Sequence, residues 1–412
     1  MSKRSNGGDP SSTAHKRHAA APQDESPLPS ATSSLLTQAS SSSIPNIPLD
    51  LIADLILPFV ADRVAWNSVY SACKDLCLAG KKMTPPWPNT TLNFGQAVRS
   101  VVFSPSGSQL AFARYSGAHD LVHVWDRWGE EALLVGHAMR RIVNCLEYSC
   151  DGEYLASGCH DGSIRLWHAE SLHAASLKIS RQTPTRATER AGIVLVGSRH
   201  NLISTLSFSR TDSNLLASGG SNGEIKLWNV KDQACIHSVQ HPRLRAIGSL
   251  FFAGGANICC TAVSSASTGP IVRFWKAEGS SDFATEIIGK GGATGLSTFS
   301  PSGSFLAFTS YSDVEDGQTL ALFELETMTN TQSIIMPGFE ATCFAFSPDS
   351  KQMAYGDCMG IIRLVQTDDF SIRRDLSAKE ESSIMSVTFD PTCRVLACGY
   401  LDGALELRHL LM

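Results

Sequence analysis

The chain has 412 residues, 43% hydrophobic and 18% charged, with 34 Lys and Arg against 39 Asp and Glu for a net charge of −5. A chain of this length holds two or three domains, or one large β architecture with additions. Its acidic balance argues against bulk nucleic-acid binding, which draws on many Lys and Arg to neutralise phosphates, and against electrostatic attachment to an anionic membrane.

Residues 1–44 are rich in Ser, Ala and Pro and poor in large apolar side chains. Such a segment buries too little surface to offset the entropy of ordering, so a disordered tail is expected. Its basic pieces, Lys3-Arg4 and His15-Lys16-Arg17-His18, read either as a nuclear signal or as solvated tail. The opening MSKRSNGGDP has no apolar core of a signal peptide. The longest apolar stretch, Leu51 to Ala61, contains Asp54 and Pro58 and falls short of the ~20 residues that span a bilayer. A cytoplasmic or nuclear location is expected. The 12 cysteines then read as reduced thiols rather than disulfides, and with no Cys-x-x-Cys among them no metal site is expected.

Residues 45–84 read as helix. Pro45 and Pro48 punctuate the start, Asp50 suits a helix N-terminus, and Leu51, Ile52, Leu55 and Ile56 form an apolar stripe. Val64, Trp66, Val69, Tyr70, Cys73, Leu76 and Cys77 form a second stripe that ends near Gly80. Pro85, Pro86 and Pro88 then stop helix and begin extended chain.

From residue 88 onward the sequence repeats. Seven segments each hold an alternating apolar strand ending in an aromatic residue, a turn, and a second apolar strand. The aromatic anchors are Phe103, Tyr148, Phe208, Phe252, Phe299, Phe346 and Phe389, spaced 43 to 60 residues apart. A third strand closes each unit, with Trp125, Trp167, Trp228 and Trp275 in the first four. Asp161-Gly162, Asn222-Gly223, Met359-Gly360 and Asp402-Gly403 mark hairpin turns between second and third strands, where positive φ favours glycine. The one long interval holds a polar insertion between Trp167 and Phe208, and the outer strand of that unit is either His173–Ile179 or Ile193–Val196.

Seven such units resemble the WD-repeat family, which implies an all-β, seven-bladed β-propeller over residues 88–412, preceded by a short N-terminal helical module and a disordered N-terminal tail. The resemblance assigns His137, Ser157, Asp161 and Trp167 to the family's buried polar network, a structural role. Because the third strand of the last unit lies close to Met412, an outer strand is missing there, and Thr90 to Phe94 is expected to pair with Ala404–Arg408 and close the ring.

No catalytic signature is present, and neither enzyme activity nor a cofactor is expected. The Gly-rich run 289–295 lacks the phosphate-loop pattern and reads as a turn. Propellers of this family act as platforms, through the blade-to-blade loops and second-to-third-strand turns. On that face the repeats place Arg140, Arg141, Arg199, Arg243 and Arg245, either a basic arc for an acidic or phosphorylated peptide or ordinary solvated charge. Asp313, Glu315, Asp316, Glu380, Glu381 and Asp402 make an acidic arc.

The helical segment, with Ile47-Pro48-Leu49-Asp50-Leu51-Ile52, then Ile56-Leu57-Pro58-Phe59-Val60 and Ala72-Cys73-Lys74, resembles an F-box. It departs from that motif in opening on Ile-Pro and in placing Pro58 inside a helix. The resemblance implies docking of a Skp-type adaptor through Pro48, Leu49, Leu51, Ile52, Ile56, Leu57, Phe59 and Val60, and so a substrate receptor of a cullin-type ubiquitin ligase. The alternative is a WD-repeat scaffold with no ubiquitin link, whose helices are a structural cap.

Overall fold

The computed structural model describes residues 90–410 apart from breaks at 116–119, 127–132, 137–141, 170–192, 197–201, 241–243, 255–256, 265–269, 277–282, 289–291, 312–317, 328, 337–339 and 378–381. The tail, the helical segment and every adaptor-docking candidate from Pro48 to Val60 lie outside the described residues.

Among the described residues, 28 strands form seven four-stranded antiparallel sheets. Six sheets are built from four consecutive strands each. Their first strands are Val98–Phe103, Val143–Tyr148, Ile203–Phe208, Leu244–Gly254, Gly292–Phe299 and Ala341–Phe346, and that of the remaining sheet is Ile384–Phe389. We number the sheets one to seven in that order. All seven aromatic anchors are buried; six end their first strands, and Phe252 lies two residues before the end of Leu244–Gly254.

The turn after the anchor repeats one device. A buried Ser or Asp accepts a hydrogen bond from the backbone N–H that opens the second strand: Gln109 to Ser104 at 3.0 Å, Tyr154 to Ser149 at 2.9 Å, Phe305 to Ser300 at 2.9 Å, Gln352 to Ser347 at 2.9 Å and Val395 to Asp390 at 2.7 Å. This satisfies a donor that the turn would otherwise leave unpaired, and it explains the Ser and Asp that begin these turns. In sheets one, two and five the turn holds Gly107, Gly152 and Gly303 at positive φ, whereas sheets six and seven put Ser350 (φ 60°) and Cys393 (φ 58°) there.

Neighbouring sheets meet through their first strands. In the second strands, glycines leave room for the β-branched side chain of the next sheet. A Cβ on Gly158 would lie 2.5 Å from Ile203, one on Gly219 2.7 Å from Ile247, one on Gly356 2.7 Å from Ile384 and one on Gly399 2.7 Å from Val98. Polar side chains add cross-links. Leu146 N–H donates to Ser100 Oγ at 3.1 Å, Asn144 Nδ2 to the Ile203 carbonyl at 2.9 Å, Ser204 Oγ to the Ile247 carbonyl at 2.7 Å and Val101 N–H to Ser386 Oγ at 3.1 Å. The Thr342 hydroxyl likewise donates to the Ile384 carbonyl. Each such bond contributes about 1 kcal/mol net.

The last sheet takes its outer strand from the beginning of the described chain. Thr90–Asn93 pairs antiparallel with Ala404–His409, in the register Thr90↔Leu407 to Asn93↔Ala404, as the missing edge strand required. Phe94 N–H extends the pairing to the Gly403 carbonyl at 2.9 Å. Gly403 is left-handed (φ 92°), and a Cβ there would fall 2.1 Å from the Gln96 nitrogen, so the joint requires glycine. The Phe94 ring then stacks on Phe112 of sheet one at 5.2 Å, which stacks on His123 at 4.8 Å. The Arg114 guanidinium lies 5.3 Å from the Phe94 ring centroid. The closing segment therefore joins the last sheet to the first by both backbone bonds and ring packing. His123 is held neutral, since burial, helped by the nearby Arg114 charge, pushes its pKa down to about 3.

The sequence leaves two choices for the outer strand of sheet two. The strand is Ile193–Val196, paired with Ser163–His168. His173–Ile179 lies outside the described residues.

Candidate functional site

Antiparallel strands place the first-to-second-strand turns at one end of the ring and the second-to-third-strand turns at the other. The second end is where sequence reasoning puts the binding face.

Three of the four polar-network residues assigned there are described. Trp167 is fully buried and its Nε1 donates to Ser157 Oγ at 3.4 Å. Asp161 caps its turn, with Oδ1 accepting from Ser163 N–H at 3.0 Å and from the Ser163 hydroxyl at 2.6 Å. His137 lies outside the described residues. Sheet three repeats the pair, with Trp228 Nε1 donating to Ser218 Oγ at 2.8 Å. The buried Trp and Ser pairs join the second and third strands, and Asp161 is half-buried at its turn.

Sheet six solves the same problem with different chemistry, which the search for Trp and Ser passes over. Asp357 is fully buried. Its Oδ1 accepts from the N–H groups of Met359 and Ile361, both at 2.9 Å, and its Oδ2 takes Arg363 Nη1 at 3.0 Å. The guanidinium also lies 5.7 Å from the Tyr355 ring centroid. The signal in the sequence is a position swap, with Tyr355 where Ser157 stands in sheet two, and with Val365 where Trp167 stands.

The arginines proposed for this face are not brought together by anything described. Arg140, Arg141, Arg199 and Arg243 lie outside the described residues, and only the backbone of Arg245 is described, in Leu244–Gly254. Of the acidic arc only Asp402 is described; it is exposed, and its Oδ1 accepts from Ala404 N–H at 2.9 Å. Beside the exposed polar residues His160, Ser221 and Asp402, the face presents three large apolar side chains. Tyr115, Met359 and Leu401 are 39%, 40% and 52% exposed and sit at the second-to-third-strand turns of sheets one, six and seven. These three sheets are consecutive around the ring.

A family model described as "WD domain, G-beta repeat" matches residues 130–168 and 193–229, which take in the outer strand of sheet one and most of sheets two and three. The chain carries WD40 repeats in a β-propeller. The propeller's likeness to a solved structure extends across the ring. A chain of "Crystal Structure of Mitotic Checkpoint Complex" superposes with a TM-score of 0.61 at 17% identity, over 79% of this chain and 92% of that one. At that identity the likeness shows the fold alone. Among curated proteins, "WD repeat-containing protein 70" of Xenopus tropicalis is 31% identical over 93 residues, 22% of this chain and 12% of that protein. "Probable cytosolic iron-sulfur protein assembly protein 1" of Cryptococcus neoformans is 33% identical over 103 residues, 21% of this chain and 20% of that protein. The matched stretches span at most a fifth of these relatives. Among the described residues of the propeller, no group of three His, Cys, Asp or Glu is placed to hold a metal ion.

Proposed function

We propose that this seven-bladed WD-repeat propeller is a protein-interaction platform that takes its partner on the second-to-third-strand turn face. One observation carries the reading. Six large hydrophobic side chains are exposed among the described residues; Val194, Ile236 and Ile335 sit singly on outer strands, and the other three, Tyr115, Met359 and Leu401, share one face across consecutive sheets. Exposed apolar groups gathered on one face, beside polar turns such as Asp402, suit a protein partner. The arginines that the repeat pattern assigns to this face, Arg140, Arg141, Arg199, Arg243 and Arg245, would favour an acidic or phosphorylated segment of that partner.

In the finer form of the proposal, the helical segment holds a Skp-type adaptor through Pro48, Leu49, Leu51, Ile52, Ile56, Leu57, Phe59 and Val60, and the chain is a substrate receptor of a cullin-type ubiquitin ligase. The F-box resemblance of residues 47–74 supports it. Affinity purification from cells, quantified by mass spectrometry, tests both levels. The combined variant Tyr115→Ser/Met359→Ser/Leu401→Ser should lose partners that the unchanged chain retains; an identical partner set overturns the platform reading. A Skp-type adaptor lost on Leu51→Asp/Ile56→Asp supports the receptor. Its absence from the unchanged chain leaves the scaffold without a ubiquitin link.

A further inference from the structure

The opposite end of the ring holds a cavity that the platform reading does not use. Its volume is about 430 Å³, within the ~300–1,000 Å³ of small-ligand sites. Six of the seven sheets line it through the ends of their first strands and the turns that follow. Its lining mixes Pro105, Pro301, Pro348 and Pro391 with Ser104, Ser209 and Thr388, and the aromatic anchors reach it with little exposed surface.

One side of the wall is charged. The residue just before each aromatic anchor is Val102, Glu147, Ser207, Phe251, Thr298, Ala345 and Thr388 in sheets one to seven, so a single carboxylate stands in an otherwise uncharged row. Glu147 lines the cavity together with Val102, Ser207 and Thr388 of that row. Its carboxylate accepts from the Phe208 backbone N–H, which leaves most of its lone pairs for another donor. Arg210, also in the wall, acts on Glu147 through its charge, and its guanidinium lies 5.4 Å from the Phe251 ring centroid. Phe251 in turn stacks on Phe299 at 5.5 Å. Burial dominates over Arg210 and lifts the Glu147 pKa from an ordinary 4.5 to about 7. A carboxylate held in that condition gains most from a mobile cation that enters the cavity.

We propose that this cavity binds a basic side chain, a primary ammonium on an aliphatic stem, with Glu147 as counter-ion and the proline-lined wall around the stem. The ammonium supplies the hydrogen bonds that the Phe208 N–H alone does not. The same chemistry reaches the cavity on a lysine of a partner's loop or on a free alkylamine. The site is at the other end of the ring from Tyr115, Met359 and Leu401, and it stands whether or not that face binds a protein.

The test is proton NMR titration of the full chain with three probes: Nα-acetyl-lysine methylamide, its uncharged counterpart Nα-acetyl-norleucine methylamide, and n-butylamine. The lysine probe should bind at pH 8 at least tenfold more tightly than the norleucine probe. With Glu147 titrating near 7, its ionised fraction falls from ~0.9 at pH 8 to ~0.1 at pH 6, so lysine affinity should fall about tenfold over that range. Glu147→Gln should remove both the preference and the pH dependence without lowering the unfolding midpoint. Arg210→Gln, which removes a competing cation, should tighten the lysine probe. Butylamine binding as tightly as the lysine probe points to a free amine, and weaker binding to a peptide; either supports the site. Equal binding of lysine and norleucine probes overturns the proposal, as does no binding of the lysine probe, or affinity unchanged in Glu147→Gln. An acidic probe, Nα-acetyl-glutamate methylamide, that binds and is lost on Arg210→Gln also overturns it.

Discussion

Replacing Gly219 with Ala tests how the sheets are fitted to each other. Its backbone lies in the ordinary strand region, so alanine is conformationally acceptable there, and on chain entropy alone the change would stabilise by about 0.5–1 kcal/mol. The packing says the opposite. The new Cβ would lie 2.7 Å from both Cβ and Cγ2 of Ile247 in the next sheet and 2.8 Å from Thr205 Cγ2. None of these atoms is the tip of a flexible chain, so the joint between sheets three and four must open by roughly 1 Å to restore ordinary contact. Overpacking of that kind costs about 1–3 kcal/mol. The overpacking term outweighs the entropy gain, and the expected net loss is about 1–2 kcal/mol. Urea unfolding followed by tryptophan fluorescence measures it as a lower midpoint. In a double-mutant cycle with Ile247→Ala, which removes Cγ2, the two losses should sum to more than the double variant shows, by about 1 kcal/mol. A Gly219→Ala midpoint equal to or above that of the unchanged chain would refute the argument.

Other consequences follow from single sites. Asp357→Asn should destabilise by roughly 1–3 kcal/mol in urea, because it removes the buried carboxylate and leaves Arg363 only the exposed Asp375, at 3.4 Å; no measurable loss would mean the pair is not desolvated. Cys393→Gly should raise the midpoint by about 0.5–1 kcal/mol by relieving a left-handed non-glycine residue (φ 58°), and a lower midpoint would contradict this. For Glu147 the folded pKa is raised, from 4.5 to about 7, so the folded state keeps a proton that the unfolded state has lost between those values. Stability from this group is present below pH 4.5, declines as pH rises, and is gone above about 7. Glu147→Gln should accordingly gain on the order of 1–3 kcal/mol at pH 8 and little at pH 4.5, read as the difference in unfolding midpoint between the two chains at each pH; a difference independent of pH would count against it.

Much of this architecture is legible in the residues. Aromatic anchors every 43 to 60 residues, with Asp-Gly and Asn-Gly turns between, mark strands and hairpins directly, because φ > 0 and strand alternation are local demands. Closure by Thr90–Asn93 is legible from a missing edge strand. The outer strand of sheet two is not, because His173–Ile179 and Ile193–Val196 are both short apolar runs and pairing partner decides between them. The candidate site is less legible still. Tyr355, Asp357 and Arg363 form their cluster across two strands, so no spacing announces it. Glu147 is visible in sequence only as the odd residue in an uncharged row, and what makes it notable is the ring of neighbours that strand periodicity cannot supply. Tyr115, Met359 and Leu401 lie some 240 to 290 residues apart or in adjacent repeats, and only ring closure sets them side by side.

The central claim is that a strand from the beginning of the repeat region completes the last sheet and thereby holds the ring together. Deleting residues 88–95 removes Thr90–Asn93 from Ala404–His409 and takes the Phe94 ring off Phe112. A thermal melt of that variant beside the unchanged chain is the direct measurement. The account predicts a clearly lower melting temperature for the deletion; melting temperatures that coincide would contradict it.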